Sequence, residues 1–295
     1  TDMIKNPKFD EKELEKERKV IFEEMKMRKD SPRVFVLDSI KECLYNKPFG
    51  PPLIGTVESM SSIDRKKLTE KFKQIYTSSN IIFAAVGNAD FNKICKYLEK
   101  KFSKRDGKAE IQKIKLKNEE RIVKRKGVDQ ANLIFAYHVP TAQDKKHYAA
   151  EILSVMMAEG MSSRLFSEIR EKRNLAYAVT GDSNCDRDYG YNLIYIGTTK
   201  ENVKQVEKLI IEEFRKVADG LDERELRAVK EQMIGNQLVL NEDSQNSMLF
   251  LLSSEISGDV KNALNYEKNI LDVKIKDVKE IAKIKNYSFF VLLPE

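Results

Sequence analysis

Residues 10–25 read DEKELEKERKVIFEEM and residues 222–233 read DERELRAVKEQM. Both open Asp-Glu-basic-Glu-Leu, an acidic start suited to the positive end of a helix. A second correspondence lies downstream of each. DRKKLTEKFKQIYTSSNIIFAAVGN (64–88) runs helix, short turn, Asn, apolar strand, and KIKDVKEIAKIKNYSFFVLLPE (274–295) does the same. Acidic helix starts are common, but two matches in the same order favour a diverged duplication of one α+β unit. About ninety residues precede the repeated helix in the second copy and nine in the first. The sequence therefore predicts a first unit lacking its opening strands and helices, with a segment expected before Thr1.

Outward from the repeat, 10–28 and 34–46 read as helices, and NKPFGPPLIGTVES (46–59) as a Pro- and Gly-rich loop. Ser61-x-x-Asp64 fits a capping box opening a helix to Tyr76. NIIFAAVG (80–87) reads as a buried strand, followed by a helix over 90–103. Strands are expected at 121–126, 130–139, 175–181, 191–199 and 286–294, with helices between them. These include one capped by Thr141-x-x-Asp144 and one ending near Asn174. The fold class is α+β, two homologous units, each a mostly antiparallel sheet packed against helices. The boundaries are 1–105 for the first unit, 106–120 for a polar, lysine-rich linker and 121–295 for the second unit.

The 295 residues carry 53 basic and 47 acidic side chains, a formal charge of +6, with both signs interspersed. That is a solvated surface and not a nucleic-acid footprint; no zinc-finger spacing or aromatic RNA-binding signature accompanies it. No apolar run approaches the ~20 residues of a membrane span. Cys43, Cys95 and Cys185 are too scattered for a disulfide framework and read as thiols in a reducing, cytoplasmic setting.

The copies differ where chemistry could reside. Glu17 and Glu24 stand in the first; Val229 and Asn236 occupy the matching places in the second. Positions seven apart on a helix differ by about 20° and lie ~10.5 Å apart along the axis, so the two glutamates share one stripe. Val20 and Met27 flank it on one side, and Leu14, Ile21 and Met25 on the other. A carboxylate among apolar neighbours needs a cation, a hydrogen bond or a metal. Because Arg18 and Glu13 also enter this arc, an ordinary solvated face is the other reading left open.

The segment DMIKNPKFDEKELEKERKVIFEEM (2–25) resembles the pitrilysin/insulinase family of zinc peptidases, which includes the mitochondrial processing peptidases. The resemblance implies zinc as cofactor, Glu24 as a metal ligand and Glu17 as an acidic residue supporting the site. It also implies two homologous halves of which only the first binds metal. EGMSSRLFSEIREKRNLAYAV (159–179) resembles the family stretch that brings an Arg and a Tyr to the active site, here Arg170 and Tyr177. A guanidinium can hold a peptide carbonyl or carboxylate and a phenol can donate to an oxyanion; a surface Arg and a half-buried strand Tyr are the plain alternatives. Ala158-Glu159-Gly160 departs from the family's run of glycines. The H-x-x-E-H motif is absent, since His138 and His147, the two histidines, stand nine apart in the second half. The expectation is a zinc metalloendopeptidase acting on peptides or unfolded segments in a chamber between two domains, inactive as this chain alone. The alternative is a non-catalytic partner subunit that binds substrate peptides within a heterodimer. A peptide substrate and a homodimer or heterodimer with a homologous subunit are the implied partners; no nucleic acid and no membrane are.

Overall fold

A computed structural model describes residues 1–102 and 113–295. Its helices in chain order are α1 (Asp2–Lys5), α2 (Glu11–Asp30), α3 (Pro32–Leu44), α4 (Val57–Ser61), α5 (Arg65–Ile75), α6 (Phe91–Lys101), α7 (His147–Ala158), α8 (Val203–Gly220), α9 (Glu223–Leu240), α10 (Ser244–Ser257), α11 (Lys261–Leu264), α12 (Tyr266–Asp272) and α13 (Ile275–Ile281). The strands are β1 (Glu120–Arg125), β2 (Ala131–His138), β3 (Ala176–Cys185), β4 (Gly190–Thr198) and β5 (Ser288–Pro294). The chain divides into two units, Thr1–Asp30 with Pro52–Lys113 and Ser31–Pro51 with Ile114–Glu295.

The larger unit is built on one sheet of order β1-β5-β2-β4-β3, antiparallel except for the β1–β5 pair. Side-chain alternation decides its two faces. Leu133, Phe135, Ile194, Ile196, Phe289 and Val291 point into a core roofed by α7, α8, α9 and α13. Ile134, Ala136, Leu193, Tyr195, Phe290 and Leu292 point the other way. There α3 covers them with Val36, Ile40, Cys43 and Leu44, all fully buried. Fully burying each such side chain contributes about 1.5–3 kcal/mol. Polar ties finish the seam: Ser288 Oγ donates to the Cys43 carbonyl at 2.9 Å, and Tyr45 forms a β-bridge with Leu116.

Residues 31–51 thus fold with the second unit, although the sequence reading placed 1–105 together. The apolar stripe of α3 needs a sheet face, and the described part of the first unit contains no strand to offer one. Of the linker read at 106–120, residues 106–112 lie outside the described residues.

In the smaller unit α2 is tied to the end of α4 and the turn after it by Arg18, whose guanidinium donates to the carbonyls of Met60 and Ile63, the latter at 2.6 Å. Phe9 packs edge-on against Phe72, which stacks on Tyr76. The helix expected from Ser61 begins instead at Arg65. Asp64 is its cap, accepting from the Lys67 N–H at 2.7 Å, while Thr56 and Ser59 form a capping box on the separate short helix α4. The strand expected at 80–87 is also corrected. Ser78–Asn80 make a 3₁₀ turn, Ile81 is extended, and 81–86 belong to no sheet. Ile82 is 50% and Phe83 46% exposed. The repeat gives the reason: the equivalent strand β5 is held between β1 and β2, and 81–86 have no such neighbours among the described residues. An apolar run becomes a strand only when another backbone takes its N–H and C=O groups.

Candidate functional site

Helix α2 starts where Asp10 Oδ1 accepts the N–H groups of Lys12 and Glu13, just as Asp222 accepts that of Glu225 at the start of α9. Three glutamates of α2 then pair with a base three residues on: Glu13 with Lys16, Glu15 with Arg18 and Glu23 with Lys26. Glu17 and Glu24 have Val20 and Met27 in that position instead. Both carboxylates are exposed, and neither makes a hydrogen bond or ion pair with a described residue. Val20 and Met27 lie open beside them, 49% and 67% exposed. The face shared by Glu17 and Glu24 is therefore half apolar, half acidic and uncovered among the described residues. At the matching place in the second copy, Val229 is buried in the core.

Tetrahedral zinc requires three or four His, Cys or carboxylate ligands converging on one point. No group of three such residues converges among the described residues. His138 holds the Lys117 carbonyl at 3.0 Å beside the Tyr45 ring; His147 holds the Asp144 carbonyl at 2.8 Å. The residues present thus do not make a zinc site by themselves, and Glu24 is at most one ligand.

Arg170 and Tyr177 sit on either side of a tight turn in the larger unit. Arg170 lies in a π-helical turn, Phe166–Glu171, with its exposed guanidinium 4.9 Å from the Phe166 ring. Asn174 ends that turn at φ 50°, a left-handed conformation Asn tolerates, with its N–H on the Arg170 carbonyl at 3.0 Å. Strand β3 begins two residues later with a bulge: Ala176 opposes Thr198 and Ala178 opposes Gly197, leaving Tyr177 without a partner on β4. A bulge re-aims the side chain it carries. The Tyr177 ring crosses onto Gly197, where a Cβ would overlap its Cζ and hydroxyl. Tyr177 as a residue stays 46% exposed, beside Tyr195.

Residues 62–233, more than half the chain, match the family model described as the peptidase M16 inactive domain. The chain belongs to the peptidase M16 family. The matched stretch contains Arg170 and Tyr177; Glu17 and Glu24 lie outside it. An uncharacterized zinc protease of Bacillus subtilis, YmxG, is 31% identical over 252 residues, covering 84% of this chain and 61% of that protein. Across four such zinc-protease relatives the chain spans between 59% and 69% of their length. Among solved structures, a protease from Helicobacter pylori superposes with TM-score 0.86 at 22% identity, over 97% of this chain and 73% of that one. A chain of complex III2 from Candida albicans gives 0.87 at 17% identity, over 99% and 73%. At such identities these two likenesses concern the fold, the α+β architecture of M16 peptidases.

Sequence reading of this M16 chain missed two partly buried groups of titratable side chains. Arg164, inside the Gly-Met-Ser-Ser-Arg-Leu-Phe run, reaches Glu225 at 2.5 Å and 2.6 Å and Glu213 at 3.4 Å, tying that run to α9 and α8. The preceding turn keeps its left-handed glycine despite the altered run, with Gly160 at φ 88°. Separately, Glu151 lines a cavity of about 280 Å³ together with His147, Cys185 and Tyr266. Burial, and then the nearby Glu159 carboxylate, push the Glu151 carboxyl up to about 8. Folded Glu151 keeps its proton to about pH 8 while the unfolded chain releases it near 4.5, so its contribution to stability is full at low pH and is lost as pH rises through that window. The slope is at most about 1.4 kcal/mol per pH unit. Glu151→Gln cannot lose that proton, so its melting temperature should gain on that of the unsubstituted chain between pH 5 and 8.5. Parallel Tm profiles would show that Glu151 ionises normally.

Proposed function

We propose that this chain is the larger part of an M16 zinc metalloendopeptidase that hydrolyses peptides or unfolded polypeptide segments in a chamber between its two homologous units. In this reading Glu24 is one zinc ligand and Glu17 supports it, while the H-x-x-E-H ligands and base lie outside these 295 residues. The zinc, when bound, supplies a polarised water and Lewis acidity. Of this chain's own groups, the Arg170 guanidinium holds a substrate carbonyl or carboxylate, and the Tyr177 hydroxyl donates to the oxygen on which negative charge develops. One observation carries the reading: among the described residues Glu17 and Glu24 have no partner, on a helix whose other central glutamates are paired.

The test is the full-length protein, assayed on unstructured peptides with and without a zinc chelator, beside the 295-residue chain. Chelator-sensitive hydrolysis by the full-length protein and none by the shorter chain is the expected result. Hydrolysis indifferent to chelator would overturn the metallopeptidase assignment. A second reading, a non-catalytic partner subunit that binds peptides, is favoured by the likeness to a chain of complex III2 and by the family model's description as an inactive domain. Peptide binding without turnover by a full-length protein lacking H-x-x-E-H would select it. In either reading a homologous subunit is the proposed protein partner and the compartment is cytoplasmic. No described helix is long and apolar enough to cross a membrane.

A further inference from the structure

We propose that Gly197 and Tyr195 are positioning residues for Tyr177: the bare backbone of Gly197 is the seat of its ring, and the Tyr195–Asn132 hydrogen bond fixes the neighbouring ring beside that seat. The inference rests on the role given above to Tyr177.

Three features of the sheet converge there. The bulge between Ala176 and Ala178 places Tyr177 and Ala178 on the same face as Tyr195 and Gly197 instead of alternating. At Gly197 an added Cβ would overlap the Tyr177 Cζ and hydroxyl and stand 2.6 Å from its Cε1, so only glycine lets the ring lie down across β4. The neighbouring Tyr195 is itself held. Its hydroxyl donates to Asn132 Oδ1 at 2.7 Å, Asn132 Nδ2 donates to the Gln130 carbonyl at 3.0 Å, and the Arg33 guanidinium covers its ring at 4.9 Å. Asn132 and Tyr195 are both buried. Tyr177 lies beside Tyr195, whose hydroxyl proton is committed to Asn132. A half-exposed tyrosine on an edge strand ordinarily samples several rotamers. This one has a floor in Gly197 and a fixed neighbour in Tyr195, which restrict the direction in which it presents its O–H.

The full-length protein, labelled with ¹³Cε-tyrosine, tests this by two readouts. The Tyr177 ring signal, assigned by its loss in Tyr177→Phe, should move in both Gly197→Ala and Tyr195→Phe, the second variant guarding against a fold defect in the first. In peptide hydrolysis Tyr177→Phe should lower kcat by roughly 100-fold or more. Gly197→Ala should lower it about 100-fold with KM little changed, as displacing a reacting group by ~1 Å does. In a Tyr177→Phe background Gly197→Ala should have almost no further effect. If Tyr177→Phe lowers kcat while both other variants leave the signal and kcat untouched, the positioning role is overturned and the function of Tyr177 stands. If the signal moves but Tyr177→Phe turns over normally, the catalytic reading of Tyr177 falls, and the positioning role falls with it.

Discussion

Glu24→Gln in the full-length protein is expected to lose bound zinc and peptide hydrolysis together. Glutamine has the shape of glutamate but not its charge, and on the proposed ligation a zinc ion held partly by that charge is released. Substitutions outside the ligand shell already cost 10–100-fold in metal affinity, so loss of a ligand should exceed about 100-fold. Glu17→Gln, one step removed, should stay within that 10–100-fold range. Neither change should move the melting temperature of the metal-free protein appreciably. Both side chains are exposed and unpartnered among the described residues, and such surface substitutions stay within about 0.5 kcal/mol. Zinc content by atomic absorption beside a peptidase assay reads both halves of the prediction. Full zinc occupancy and full turnover in Glu24→Gln would remove Glu24 from the ligand set.

Arg164→Ala should destabilise the larger unit strongly, costing about 3–5 kcal/mol. Glu213 is 2% exposed and shares Arg164 with Glu225. Among the described residues only Lys216, itself largely in solvent, remains to it when the guanidinium is gone. Leaving a carboxylate buried beside one peripheral ammonium costs more than the ion pair itself contributes. The double variant Arg164→Ala/Glu213→Gln should recover much of the loss, because the stranded charge is removed. Chemical denaturation of both variants measures this. Equal destabilisation of the single and double variants would mean that the packing of the arginine stem, not the charge, holds the run to α8 and α9.

What the sequence made legible follows its local signals. Acidic caps and apolar spacing gave α2, α9 and the strands of the larger sheet to within a few residues, and the left-handed Asn174 was readable from its side chain. The strand read at 80–87 shows the limit: composition states a preference, but a strand is a relation between two backbones, and its partners are not among the described residues. The place of α3 was equally hidden. Its apolar stripe says that one face is buried, not against which sheet. Around the candidate site, the stripe of Glu17 and Glu24 could be drawn from spacing alone. The bulge at Tyr177 and the glycine beneath its ring could not, since register across β3 and β4 is set by the fold. Arg164 stood in plain view in a quoted run, but its carboxylates are 49 and 61 positions further along, and nothing in one sequence links them.

The path of the chain through α3 bears on how this protein can be taken apart. The polypeptide leaves the smaller unit after Asp30, lays one helix over the back of the larger unit's sheet, and returns at Pro52. A cut at the lysine-rich stretch near 106–120 would therefore strip Phe290 and Leu292 of their lid. A recombinant fragment beginning at Ile114 should come out insoluble, whereas the same fragment supplied with a peptide spanning 31–51 should recover a protease-resistant body. The two units are threaded through each other in sequence, so no single cut in the chain separates them.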